Sequence, residues 1–210
     1  MPTSKSAGTR KSPQQDRSEA MVGRIIDAGS RVLLTYGYAG ASTNRIAAEA
    51  GVSPGSLYYY FSDKDGVVRG VLDRFLVLLG QALSNTTARL EWADRAVFLE
   101  TADSMMDVLE ENRRLLEILV DEAPQLVRSG SRLAIEERLR EHMRTAFLLL
   151  GTPLRGAELD AACWLATQLC LSVPVRYILS RPPISRETVL NGLADQIGAL
   201  AGHGGQGTGR

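Results

Sequence analysis

Cysteine is almost missing from this chain. Cys163 and Cys170 are its two thiols, seven positions apart. On a helix that separation puts their Cα atoms about 10.5 Å apart, beyond the roughly 7 Å a disulfide spans. A disulfide scaffold is excluded, and both thiols read as reduced core residues of a reducing compartment. Histidine is equally scarce, His142 and His203 being the pair. No metal cluster at usable ligand spacing is expected, and no cofactor. Neither sign of charge dominates, with 24 Lys+Arg against 24 Asp+Glu. Long apolar runs are missing too. The nearest candidate for the roughly 20 residues of a membrane span is 161–179. Gln168, Pro174 and Arg176 interrupt it, so it reads as a buried helix. No apolar segment follows Lys5, Arg10, Lys11 and Arg17, so no secretory signal is expected. Period-two alternation is absent, which argues against a sheet. The expectation is a cytoplasmic chain with no membrane partner.

What is present is apolar helix. Hydrophobic residues make up 44% of 210 positions, enough for a sizeable core and against disorder throughout. The balanced charge hides an asymmetry. Residues 1–70 hold nine basic and six acidic residues, and the remainder fifteen and eighteen. The N-terminal third therefore leans toward an anionic partner. Residues 1–17 are expected to be a basic tail without fixed structure, which either solubilises the chain or tracks phosphates in an arm-like way. Residues 202–210 read as a Gly-rich tail.

Between them the spacing predicts helices throughout. The first starts near Ser18, carries Val22, Ile25, Ile26, Gly29, Val32, Leu33 and Tyr36 on one face, and ends at Gly37. A short helix runs over 43–50, with Ser42 as N-cap and Gly51 as the left-handed stop. Ser53 caps a third, with Pro54 at its first position. Ser62 and Asp65 resemble a capping box for a fourth. Further on, Phe98, Ala102, Met105 and Leu109 form one stripe, and Leu139, Met143, Ala146 and Leu150 another. Two last helices cover roughly 157–179 and 185–201. The predicted class is all-α.

Residues 42–64, STNRIAAEAGVSPGSLYYYFSDK, carry the strongest functional signal. Two short helices must cross closely through a brief turn, the arrangement of a helix-turn-helix. Ala47 is small enough for that approach, Gly51 makes the turn, and Ile46, Ala50, Val52 and Leu57 supply the buried wedge. Pro54, Gly55, Ser56, Tyr58 and Tyr59 are left outward on the third helix. Small residues let backbone approach bases or phosphates, and tyrosine hydroxyls suit phosphate oxygens. Three consecutive tyrosines cannot share one face, so Tyr60 is expected to pack partly inward. Arg45 either pairs with Glu49 or meets a phosphate. Lys64 sits where a helix N-terminus favours an anion.

These residues resemble the tetracycline-repressor (TetR) family of bacterial regulators. The resemblance rests on Gly37-Tyr38, on 41–47, on Ala50-Gly51-Val52-Ser53, on 55–61 and on Lys64. It implies an N-terminal helix-turn-helix DNA-binding domain with a larger C-terminal helical domain for ligand binding and dimerisation. It implies DNA contacts from Thr43, Asn44, Gly55, Ser56, Tyr58 and Tyr59, with Tyr60 and Lys64 on phosphates. Arg45 and Pro54 complete the expected DNA-binding set. Pro54 departs from the polar or basic residue that many members use to read a base, so readout shifts toward Asn44, thymine methyls and DNA shape.

Two motifs match by letter only. Residues 51–55 spell the hydrolase nucleophile elbow, which needs a strand before its serine and a histidine base. Gly202, Gly204 and Gly207 spell a dinucleotide fingerprint with no strand before it. No catalytic residue is assigned, and an enzyme on the C-terminal helices lacks both base and nucleophile. A ligand-independent architectural protein is the other alternative.

The expected organisation is a helix-turn-helix domain over 18–75 and a sensing and dimerisation domain over 76–201. The partners are a palindromic double-stranded DNA operator, a second copy of the chain and a small apolar effector that releases a repressor from DNA. Two apolar stripes on 157–179 predict a helix covered on both sides, one by its own core and the other by the partner in a dimer. One is Leu159, Cys163, Ala166, Cys170, Val173 and Tyr177. The other is Trp164 or Leu165, Leu171, Val175 and Ile178. The last helix adds Val189, Leu193, Ile197 and Leu200. Trp92, Phe98, Met105, Met106, Phe147, Trp164 and Gln168 are expected around the effector.

Overall fold

The computed structural model describes residues 13–87, 94–126 and 130–203, and every regular element among them is helical. The chain divides into two compact units, Met1–Val71 and Leu72–Arg210.

In the first unit, α1 runs Pro13–Gly40. It starts well before Ser18, so 13–17 of the expected tail are helical; 1–12 lie outside the described residues. Proline is pre-set for a first turn, and Asp16 there suits the positive end of the helix dipole. Regular helix stops at Gly37, whose φ of 67° and ψ of 178° strain any residue bearing a Cβ. A second short piece carries the chain on to Gly40. Next come α2 (Thr43–Ala50), α3 (Pro54–Tyr60) and α4 (Lys64–Thr87).

The core of this unit is Ile25, Ala28, Val32 and Leu33 of α1, Ile46 and Ala47 of α2, Leu57 of α3, and Val67, Val68 and Val71 of α4. Two glycines let α1 and α4 meet. A Cβ on Gly29 would lie 2.5 Å from Val67 Cγ1, and one on Gly70 would lie 2.9 Å from Ile26 Cδ1. Gly29→Val is therefore expected to destabilise this unit by about 1–3 kcal/mol through overpacking. Thermal denaturation followed by circular dichroism checks this, and an unchanged melting curve would show that the seam can yield.

The start of α4 corrects one expectation. Asp63, not Ser62, accepts the backbone N–H of Gly66, at 2.7 Å, and Asp65 is taken by the Tyr38 hydroxyl at 2.8 Å. The helix begins one residue later than a Ser62 cap requires.

The second unit holds α5 (Arg95–Glu111), α6 (Arg113–Glu117) with a π-helical turn at Ile118–Glu122, α7 (Gly130–Leu149), α8 (Gly156–Ser180), and α9 (Arg186–Gly198) with a π-helical turn at Ala199–His203. Arginines tie α5 to α9 and to the end of α8. Arg95 reaches Asp195 at 2.7 Å, Arg186 reaches Asp103 at 2.6 Å and Asp107 at 2.7 Å, and Arg181 reaches Glu110 at 3.0 Å.

One helix, Gly156–Ser180, is long and apolar enough to cross a membrane. One of its faces lies in the core of this unit through Leu159, Ala162, Cys163, Ala166, Thr167, Pro174 and Ile178. This shows which apolar side the protomer covers itself. Leu159, Cys163 and Ala166 are covered by their own chain, as are Ile178 of the other stripe and Leu193 and Ile197 of α9. Small residues on α8 serve close packing inside the protomer. Trp164 and Leu165 stay exposed, and Leu171 and Val175 half-exposed.

Candidate nucleic-acid interface

Capping builds the helix-turn-helix. Ser42 Oγ accepts the Arg45 N–H at 3.3 Å, and Ser53 Oγ accepts the Ser56 N–H at 3.1 Å. Gly51, at φ 65° and ψ 39°, closes α2 in the left-handed region that glycine adopts without strain. Arg24 of α1 donates to the Ala50 carbonyl at 2.7 Å, and Arg31 donates to Glu49 at 2.5 Å. Glu49 is thereby occupied, so the Arg45–Glu49 pair does not form.

With Leu57 inward, α3 presents Pro54, Gly55, Ser56, Tyr58 and Tyr59, while Tyr60 is half-buried. Tyr59 is 82% exposed, and its ring meets the Tyr60 edge with centroids 4.9 Å apart. Thr43 Oγ1 and the Tyr58 hydroxyl lie 3.0 Å apart, which joins the start of α2 to the outward face of α3. Asn44 is exposed beside them. Ser56 Oγ is 2.9 Å from Ser53 Oγ, so that hydroxyl is partly engaged in the cap.

The two cations have unexpected surroundings. The Arg45 guanidinium lies 4.7 Å from the Tyr36 ring centroid and donates to the Gly40 carbonyl. The Lys64 ammonium lies 4.0 Å from the Tyr38 ring centroid and donates to the Tyr38 carbonyl at 3.0 Å. The anion position at the start of α4 is already filled by Asp63. The Gly66 N–H holds that carboxyl below the usual carboxylate range, with help from the Ser62 hydroxyl and Arg69. Tyr36, expected on the inward face of α1, is exposed instead, and neither it nor Tyr38 is among the expected site residues. Their sequence signal is a ring on either side of Gly37.

The residues expected around an effector disperse. Phe98 and Met105 line a small apolar cavity with Thr101, Ala102, Leu139, Cys170, Pro174 and Leu193. Its volume is about 20 Å³, room for one water rather than the roughly 300–1,000 Å³ of a ligand pocket. Met106 and Phe147 are buried and do not line it. Trp164 is half-exposed and does not line this cavity. The Gln168 amide donates to Glu136 at 2.7 Å, and Trp92 lies outside the described residues. Burial pushes the Cys170 thiol up to about 12 and raises that of Cys163 as well, so neither supplies a thiolate nucleophile at neutral pH. Among the described residues no cluster of His, Cys, Asp or Glu could hold a metal.

A capped α2, a left-handed glycine turn and an α3 with a polar outward face define a helix-turn-helix DNA-binding regulator. Residues 25–71 match the family model for bacterial regulatory proteins of the tetR family. Those residues carry the likeness to the family, and they span the helix-turn-helix. Solved structures of the same fold extend the likeness over both units. The fatty acid degradation regulator FadR from Bacillus halodurans is 17% identical, with a TM-score of 0.61 over 90% of this chain and 96% of that one. A TetR transcription regulator from Haloarcula marismortui is 19% identical, with 0.61 over 88% and 97%. The multidrug binding protein EbrR, crystallised with imidazole, is 20% identical, with 0.61 over 82% and 92%. No protein of curated function matches the chain. The fold over both units is the one these regulators share.

Proposed function

We propose that the chain is a homodimeric repressor that leaves a palindromic operator when a small apolar molecule binds its C-terminal unit. The observation that carries the DNA side is the surface shared by α2 and α3. Thr43 and Tyr58 are joined at 3.0 Å, Asn44 is exposed beside them, and Tyr59 stands in solvent. Short polar groups and flat rings on one face suit phosphates and thymine methyls. Two copies related by a two-fold axis set their α3 helices about 34 Å apart, one turn of DNA. The protein acts in the cytoplasm, where bacterial DNA lies.

The effector is an apolar molecule that widens the space bounded by Phe98, Met105 and Leu139. Two structural neighbours, one a fatty acid degradation regulator and one a multidrug binding protein, support that class. The signal travels along α4, whose first turn carries Lys64. To weaken DNA binding a hundredfold, the effector must favour the non-binding state by about 2.7 kcal/mol, within ordinary allosteric coupling.

The test is recovery of the genomic fragments the protein retains, followed by titration of variants on the recovered site and on random DNA. Asn44→Ala should cost about 1–3 kcal/mol on the specific site and far less on random DNA. Lys64→Ala should weaken both alike and lower the salt slope by about one. A folded Asn44→Ala variant with full discrimination would remove that residue from base readout.

A further inference from the structure

Two cations of the DNA-binding unit are each seated on a tyrosine, and both tyrosines come from one turn. Gly37 separates them. Its left-handed φ of 67° breaks α1, and the chain on either side sends one ring toward α2 and the other toward α4. The Tyr36 ring receives Arg45 of α2, at 4.7 Å. The Tyr38 ring receives Lys64 of α4, at 4.0 Å. In sequence the two cations bracket α3.

Further contacts fix each seat. Gly40 gives its carbonyl to the Arg45 guanidinium. It also leaves space for the ring, since a Cβ there would sit 2.9 Å from Tyr36 Cβ and 3.6 Å from Arg45 Nη1. The Tyr38 carbonyl accepts the Lys64 ammonium, and the Tyr38 hydroxyl donates to Asp65 at 2.8 Å. Neither cation is neutralised by the arrangement. The seats offer ring faces and carbonyl dipoles, which leave a full positive charge and further N–H donors for another anion. Arg45 is exposed and Lys64 half-buried. A long basic side chain loses rotamer freedom when it meets a phosphate, and one already held loses less.

We propose that the Tyr36-Gly37-Tyr38 turn is a cation-positioning element of the DNA interface. Tyr36 sets Arg45 and Tyr38 sets Lys64, so that both meet the phosphate backbone preformed. Tyr36 and Tyr38 are positioning residues and act through the cations. The inference rests on the DNA-binding reading of α2 and α3.

The test uses the full chain and a labelled duplex of random sequence, since phosphate contacts do not depend on sequence. Tyr36 is 54% exposed, so Tyr36→Leu keeps the fold, which circular dichroism verifies. Tyr36→Leu should weaken binding about threefold, the scale of an exposed cation–π contact. Tyr36→Phe, which restores the ring face, should recover that loss. In an Arg45→Met background Tyr36→Leu should add nothing, because the group it positions is gone. The same cycle with Tyr38→Leu and Lys64→Met tests the second seat. Equal weakening by Tyr36→Leu with and without Arg45 would mean general support of the turn and would overturn the proposal, as would no weakening at all. Failure of the unaltered chain to bind duplex in a salt-dependent way would instead overturn the DNA-binding reading beneath it.

Discussion

Replacing Trp164 and Leu165 together by glutamate is expected to leave a folded monomer whose operator affinity falls by about a hundredfold or more, since a dimer binds its second half-site as an intramolecular event. The argument lies in the two sides of α8. One side is spent inside the protomer, with Ala166 at 0% exposure among Leu159, Cys163 and Ile178. The other leaves Trp164 at 49% and Leu165 at 43% exposure, with Leu169, Leu171 and Val175 half-exposed further along. Large apolar groups in a row on one helix are what a partner surface covers. Two carboxylates there would cost little in the monomer and much in a dimer, where they would be desolvated without partners. Ala166→Glu is a different experiment. It buries a charge in the protomer's own core and should unfold the second unit. Sedimentation at micromolar concentration decides the matter. A double variant that still runs as a dimer would move the seam away from this face.

That contrast shows where the sequence was legible. Periodicity found α8 and its two apolar sides, because spacing reports which residues share a face. It could not say which side the protomer covers, since both are apolar and the choice depends on helices distant in sequence. The helix-turn-helix was clearer because its signals are local. Ser42, Gly51, Ser53 and Pro54 act on groups within a few residues, and the structure has each in its expected place. Longer-range contacts were hidden. Arg45 has Glu49 at helical spacing, yet Glu49 is taken by Arg31 from α1 and Arg45 by a ring of the same helix. Asp63 displaces Ser62 as the acceptor at α4 because a carboxylate is the stronger partner for a helix N–H. Trp164 and Gln168 show the same limit of local signals. Residue type suggested a pocket, whereas Trp164 turns outward and Gln168 is satisfied by Glu136 of α7.

Ala102→Leu is expected to yield a regulator that binds DNA like the parent and no longer answers its effector, with at least a tenfold loss of effector affinity, or about 1.4 kcal/mol. Four helices meet at the apolar cavity of the second unit. Phe98, Ala102 and Met105 come from α5, Leu139 from α7, Cys170 and Pro174 from α8, and Leu193 from α9. Ala102 is the smallest side chain of the α5 wall. The cavity, at about 20 Å³, is too small for an organic effector, so an effector that enters there would have to part these helices. Pro174 marks where α8 yields. It lies inside that helix and lacks the N–H that would bond the carbonyl of Cys170 one turn back, so the helix is weakened at the cavity wall. A leucine at 102 fills the space and adds contacts that parting must break. The overpacking cost is about 1–3 kcal/mol, which a unit of this size can bear. The measurement is a thermal-shift screen of fatty acids and apolar drugs on the parent. DNA-release titration of parent and variant with each stabilising compound then follows. Release of the variant at the parent's effector concentration would place the effector elsewhere in the unit. Loss of release together with loss of DNA binding would mean that the substitution damaged the fold, and Cys170→Leu on the opposite wall would then repeat the test.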